Sequence, residues 1–152
     1  MKNKNYLTLF SMQIISFIIM YGVMFLNVDR LSHVYLSMTR LYMSLLMVAP
    51  MAVLMLLLMW KMFKNTKLNL VIIIGALTVF VVALLLLRTQ TLIKDVQYMK
   101  AMIPHHSSAI LTSQEADIRD PEVKILSEEI IEAQEREINQ MKKILRRLEN
   151  NR

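Results

Sequence analysis

The chain has 152 residues, of which 55% are hydrophobic, and it carries a formal net charge of +6 and no cysteine. This apolar share is too high for an ordinary soluble domain of this size, and the lack of cysteine excludes disulfides and thiolate metal sites. The basic residues of the first half flank long apolar stretches, so the net charge does not indicate nucleic-acid binding.

Three stretches without any charged residue dominate the first part of the chain: residues 7–28, 41–60 and 68–87. A helix of about 20 residues rises roughly 30 Å, which is enough to cross the hydrocarbon core of a membrane. The first stretch is too long for the core of a secretory signal and lacks a small-residue cleavage site. We therefore expect a three-span membrane domain over residues 1–88, followed by a connector over 89–100.

Basic residues around the spans predict the orientation in the membrane. Lys2, Lys4, Lys61, Lys64 and Lys67 lie on one side, and Arg30 and Arg40 lie on the other, where Asp29 offsets one of them. Because cytoplasmic loops are enriched in Lys and Arg, we expect the amino terminus to be cytoplasmic. The chain is then a multi-pass protein of the cell membrane, in contact with lipid, and its carboxyl-terminal domain is extracytoplasmic.

The second span carries a ladder of methionines at four-residue intervals, Met43, Met47, Met51, Met55 and Met59. Such side chains pack flexibly and are compatible with lipid. The ladder also resembles the Met-x-x-x-Met pair of eukaryotic copper transporters, which leaves a copper conduit as an alternative function. In the loop before this span, the lone His33 is expected to be exposed, and with Met38 it is a candidate for a soft-metal surface.

Residues 101–152 predict a helical hairpin. The break at "DIRDPEV" places Asp120 as an N-cap and Pro121 at the first helical position, where the missing N–H costs nothing. We expect helices over 104–118 and 121–148, with the segment before Pro104 also helical but kinked or restarted at the proline.

Two adjacent histidines follow Pro104 in the stretch "MIPHHSSAI". On a helix, residues three or four apart share a face, which aligns Met99, Met102 and His106, while His105 lies about 100° away yet within reach of Met102.

The second helix shows polar residues in the middle of its apolar stripe. The stripe comprises Leu126, Ile130, Ala133, Met141, Leu145 and Leu148, and it is interrupted by Gln134 and Glu137. Buried polar groups are costly unless they have partners. A histidine on the facing helix is such a partner, and so is a metal ion.

"MIPHHSSAI" and the later "QEREINQM" resemble the M-x-x-H-H-x-x-A and Q-x-x-E-I-x-x-M signature of the bacterial domain of unknown function DUF305. The resemblance implies a ferritin-like helical domain, of a kind associated with copper binding and copper tolerance. By position, it points to Met102, His105, His106, Glu137 and Met141 as metal ligands, with Met99 and Gln134 as possible additional ones. A methionine that many members carry one turn after the histidines is absent from "SSAILTSQEA".

The ligand chemistry agrees with copper, because imidazole and thioether suit Cu(I), and imidazole with carboxylate suits Cu(II). The sequence offers no Glu-x-x-His pair for a di-iron site and no catalytic arrangement of residues, so we expect a binding protein and not an enzyme. The predicted function is copper sequestration or tolerance. The alternative is a membrane structural or interaction module in which His106 and Glu137 form a polar core without metal.

The fold class expected from these features is all-α: three transmembrane helices, then an external ferritin-like helical hairpin. Two helices cannot enclose a seam on all sides. We therefore expect the hairpin to form a homo-oligomer, with two copies making a four-helix bundle.

The orientation can be tested with reporter fusions after residue 152. The charge distribution predicts that a reporter active only outside the cytoplasm is active there, whereas one active only in the cytoplasm is silent. Activity of the cytoplasmic reporter would contradict the predicted localisation.

Overall fold

The computed structural model describes residues 2–150, and the regular elements of this part of the chain are all helices, without a β-strand. Its five α-helices are α1 (Lys2–Val23), α2 (Met38–Leu58), α3 (Thr66–Arg88), α4 (Asp95–Glu115) and α5 (Pro121–Asn150). The chain divides into two compact units. Among the described residues, a membrane unit contains residues 2–24 and 39–91, and a hairpin unit contains residues 25–38 and 92–150.

The helices α1, α2 and α3 are each long and apolar enough to cross a membrane, as predicted. The first helix ends at Val23, although the uncharged stretch continues to residue 28. The guanidinium of Arg40, at the start of α2, donates a hydrogen bond to the carbonyl of Met24. A carbonyl at the end of α1 is thus satisfied by a side chain and does not require another helical turn.

Within the membrane unit, a small apolar cluster of Leu9, Leu56 and Phe63 joins α1, α2 and the turn that precedes α3. A polar contact lies beside it. The Tyr6 hydroxyl donates to Asn69 Oδ1 at 2.7 Å, and Asn69 Nδ2 donates to the Phe63 carbonyl at 2.7 Å. These bonds satisfy a fully buried asparagine in α3, which would otherwise be costly to bury.

In the hairpin unit, α4 begins at Asp95, inside the stretch expected to be a connector, and runs without a break through Pro104 to Glu115. The residues before Pro104 are helical, as predicted, and the helix does not restart at the proline. Pro104 is buried.

Helix α5 begins as the sequence predicts. Asp120 Oδ1 accepts the backbone N–H groups of Glu122 and Val123 at 2.9 and 3.1 Å. Pro121 is the first residue of the helix. This cap satisfies two of the N–H groups that a helix leaves unpaired at its start, and such caps contribute about 1 kcal/mol.

The core of the hairpin unit consists of five buried residues: Ile103 and Ile110 from α4, and Ile138, Met141 and Leu145 from α5. The two α4 residues are seven apart, and the three α5 residues follow the three- and four-residue spacing of one helical face. Packed against this core are Val96, Met99, Met102 and Ile131 from the helices and Tyr35 from the loop.

The stripe predicted for α5 is buried at Met141 and Leu145, partly buried at Ile130, Ala133 and Leu148, and exposed at Leu126. Met141 and Leu145 are buried, but the Leu126 side chain is 54% exposed. Ile138 occupies the centre of the seam, and the neighbouring Glu137 lies at its edge with 49% of its side chain exposed. The physical reason is the helical step of about 100°, which separates Glu137 from the face that carries Ile138.

The core assignment predicts unequal effects of two isoleucine substitutions on α5. Ile138 is 2% exposed and Ile125 is 59% exposed. Ile138→Ala should lower the free energy of unfolding of the hairpin by about 2–5 kcal/mol, because it leaves a cavity. The matched Ile125→Ala should change it by less than about 0.5 kcal/mol. Hydrogen exchange of the α5 amides in the full chain measures the destabilisation caused by each substitution. Equal effects would contradict the assignment of Ile138 to the core.

Candidate functional site

His106 on α4 reaches across the seam to Glu137 on α5. Its Nε2 lies 2.7 Å from Glu137 Oε2, and its Nδ1 lies 2.9 Å from the carbonyl oxygen of Met102, one turn earlier on the same helix. The histidine side chain is 12% exposed. The histidine predicted to point into the hairpin therefore does so, and it meets the predicted carboxylate.

The hydrogen-bonding partners of His106 determine which of its ring nitrogens carries a proton. A backbone carbonyl can only accept, so Nδ1 carries a proton and donates it to the Met102 carbonyl. The second ring nitrogen and the carboxylate oxygen then share one proton between them. Fixing Nδ1–H in this way orients the ring and makes Nε2 the nitrogen that can bind another group.

The other predicted ligands lie around this contact at different depths. Met102 and Met99 are partly buried against the core, and Met141 belongs to the core itself. His105 is exposed, and its ring stands edge-on to that of His106, with centroids 5.8 Å apart. The adjacent histidines thus divide into one inward and one outward side chain, as the helical spacing predicts.

Gln134 contributes a polar atom without a partner. Its Oε1 is buried and accepts no hydrogen bond within the described residues. Gln134, Glu137 and Met141 lie on successive turns of α5, because they are three and four residues apart. An unsatisfied buried acceptor costs about 1–3 kcal/mol, so this amide is suited to a partner that enters the seam.

Among residues 2–150, no group of three or more His, Asp or Glu side chains is arranged to hold a metal ion. The structure brings His106 and Glu137 together, and the other predicted ligands near them are thioethers, the Gln134 amide and the exposed imidazole of His105. The proposed set of copper ligands is therefore still a prediction.

His33, expected to be exposed, is instead 6% exposed and belongs to the hairpin unit. Its Nδ1 lies 2.9 Å from the hydroxyl oxygen of Ser107, which also accepts the backbone N–H of Asp29 at 2.8 Å. The loop over residues 25–38 is thus fastened to α4 through the residue that follows His106. Sequence analysis missed this contact, although a serine between Ile103 and Ile110 on one helical face was a signal that it needed a buried partner.

Burial lowers the pKa of His33 below its ordinary value of 6.5, and the positive charge of Lys142 lowers it further, while Asp29 opposes the shift. The histidine is therefore neutral at neutral pH. A neutral ring with an unprotonated Nδ1 would also give the Ser107 hydroxyl an acceptor for its proton.

The methionines of the predicted ladder differ in exposure, and Met59 lies just beyond the end of α2. Met43, Met47 and Met59 are exposed, whereas Met51 and Met55 are partly buried. Met55 packs against the apolar cluster, and its sulfur accepts a hydrogen bond from Gln13 Nε2 at 3.6 Å. These contacts do not test the copper conduit, which is still a prediction.

Comparison with known proteins identifies a family model and a relative that resemble this chain. Residues 88–152 match the model of DUF305, a domain of unknown function. The chain is also 39% identical to "Uncharacterized protein L153" of Acanthamoeba polyphaga mimivirus over an alignment of 144 positions, which covers 91% of this chain and 93% of the relative. The likeness therefore extends over the three long apolar helices. No solved structure matches the chain.

The lowered pKa of His33 predicts a dependence of stability on pH. As the pH falls below about 6.5, the unfolded histidine binds its proton before the folded one does, so the free energy of unfolding decreases. His33→Asn should reduce this dependence, because the amide oxygen still accepts from Ser107 but does not titrate. Thermal unfolding of the full chain between pH 7.5 and 5.5 compares the two proteins, and identical slopes would contradict the assignment.

Proposed function

We propose a copper-binding function for this chain, which belongs to the family of the mimivirus relative and carries DUF305 as its carboxyl-terminal domain. The membrane spans retain the protein in the cell membrane, and the hairpin presents the metal site outside the cytoplasm. Its role is to sequester copper or to confer copper tolerance, without catalysis.

The observation that supports this proposal is the fixed orientation of His106. Its Nδ1–H is held by the Met102 carbonyl, so Nε2 is the nitrogen directed at Glu137 on the other helix. Metal-binding histidines commonly donate their second ring N–H to a carbonyl or carboxylate, which fixes the tautomer and the direction of the ring. A metal ion would take the place of the proton that Nε2 and the carboxylate share.

The surrounding donors fit copper better than a hard cation. Met102 and Met141 offer thioethers beside the imidazole, a combination that favours Cu(I), and Glu137 adds a carboxylate that is suited to Cu(II). The unpaired Gln134 Oε1 and the exposed His105 are the auxiliary donors, and Met99 is a further thioether one turn earlier. Thioethers also persist in an oxidising compartment, where free thiols form disulfides.

The separation between His106 and Glu137 requires one adjustment. A distance of 2.7 Å is that of a hydrogen bond, whereas two ligand bonds of about 2 Å each place their donor atoms further apart. Glu137 can provide this movement, because about half of its side chain is exposed.

We further propose that the hairpin pairs with a second copy. The first turns of α5 expose Val123, Ile125 and Leu126. Apolar side chains grouped at one end of a helix are the usual mark of an interface. A second hairpin in antiparallel register would cover them and complete a four-helix bundle.

A second candidate function is an interaction module in which the same residues serve structure alone. It is favoured by the short His106–Glu137 contact, since this bond already satisfies both groups. In that case the hairpin would dock a partner, and His106 would contribute only to folding.

The two candidates are separated by metal binding of the histidine variants. His106→Ala should weaken the binding of Cu(I) by the full chain in detergent at least tenfold, because it removes the fixed imidazole. His105→Ala is the matched control, and it should weaken binding less, because this side chain is exposed. Competition titration with a chelator of known affinity measures both.

Two results would contradict this assignment. If the native chain binds neither Cu(I) nor Cu(II) while His106→Ala still lowers the unfolding temperature, the histidine is structural and the interaction module is favoured. If both variants lose binding equally, the two histidines act jointly, and the division into inward and auxiliary ligands is wrong.

A further inference from the structure

Exposed lysines gather at one end of the membrane unit, where α1 and α3 begin and α2 ends. Lys4 lies in the first turn of α1, Lys61 and Lys64 lie in the turn between α2 and α3, and Lys67 lies in the first turn of α3. These four residues form the lysine surface. The segments that connect to the hairpin unit leave from the opposite ends of the same three helices.

Contacts between the start of α1 and the turn before α3 hold this end of the unit together. Asn5 Nδ2 donates to the Met62 carbonyl at 3.2 Å, and the Tyr6 hydroxyl oxygen accepts the backbone N–H of Asn65 at 3.2 Å. The ring of Tyr6 also packs against that of Phe63, with centroids 5.1 Å apart. Each residue in these contacts lies one or two positions from a lysine of the surface, so folding brings the lysines of both segments together.

The positive charge of the lysine surface has no counter-charge within its own unit. All 12 aspartate and glutamate residues of the chain belong to the hairpin unit, and the membrane unit contains none. Within the described residues, no lysine of this surface forms an ion pair. Like charges that are held close together repel one another, so the surface favours an anionic partner.

The position of the lysine surface in a membrane indicates which anions it meets. Helices of this length place their ends at the level of the lipid headgroups. Trp60, the only tryptophan of the chain, directly precedes Lys61 and is 43% exposed. Tryptophan is enriched at the boundary between headgroups and acyl chains. The anionic groups next to this end of the unit are therefore those of phospholipids.

We propose that the lysine surface binds anionic phospholipid headgroups in preference to zwitterionic ones. The headgroup of phosphatidylcholine already carries a cation beside its phosphate, whereas that of phosphatidylglycerol does not and attracts clustered lysines. The inference rests on the membrane insertion proposed above. It does not rest on copper binding, since the copper ligands of the hairpin all lie in the other unit.

The fluorescence of Trp60 reports which lipid lies beside the surface. The full chain is reconstituted into vesicles of equal parts phosphatidylcholine and phosphatidylglycerol, and one of the two lipids carries bromine atoms near its headgroup, which quench tryptophan. We expect phosphatidylglycerol to bind about fivefold more strongly than phosphatidylcholine, which corresponds to the attraction of roughly one lysine to an anionic surface. Both leaflets have the same composition, so the result does not depend on the orientation of the chain.

Three results would overturn the proposal, each in a different way. Equal quenching by the two brominated lipids would remove the lipid preference alone. Absence of quenching by either lipid would contradict the membrane insertion as well. If inorganic phosphate abolishes the preference while sodium chloride of the same ionic strength does not, the surface binds the free anion and not the lipid.

Two double variants separate the lysine surface from the net charge of the chain. Lys61→Gln with Lys64→Gln should reduce the preference to less than about twofold, because half of the clustered charge is removed. The matched control is Arg88→Gln with Lys94→Gln, which removes two exposed cations beyond the other end of α3 and should leave the preference unchanged. Circular dichroism verifies that both variants are helical. An equal loss in the two variants, or no loss in the first, would refute the assignment.

Discussion

The packing of Ile103 and Ile110 against Ile138, Met141 and Leu145 holds α4 against α5 and positions the polar side chains beside it. His106 leaves α4 toward one edge and meets Glu137. Ser107, the next residue, is fully buried and holds the loop through His33. One turn of α4 thus connects the candidate metal site to the attachment of the loop.

The consecutive positions of His106 and Ser107 have a consequence for the proposed function. A metal ion at His106 would compete with the Glu137 contact, whereas Ser107 is held independently by His33 and by the backbone of Asp29. Rearrangement at the metal site can therefore proceed without releasing the loop.

Much of this fold could be predicted from interactions between residues that are close together in the sequence. The lengths of the uncharged stretches predicted three spanning helices, and Asp120 with Pro121 predicted the start of α5, because a side-chain cap acts on neighbouring residues only. The pairing of His106 with Glu137 followed from helical faces. The burial of individual side chains within the seam could not be predicted, since periodicity could not decide whether Glu137 or Ile138 faces α4. The burial of His33 depends on a contact 74 residues away along the chain, to which no local pattern refers.

The central claim, that His106 binds copper in the seam, is tested most directly by X-ray absorption at the copper edge of the copper-loaded full chain. The account predicts one tightly held copper ion per hairpin, with an imidazole nitrogen and at least one methionine sulfur among its ligands, and loss of the imidazole signal in His106→Ala. Copper that is held only by oxygen and nitrogen donors, and whose spectrum is unchanged in His106→Ala, would contradict it.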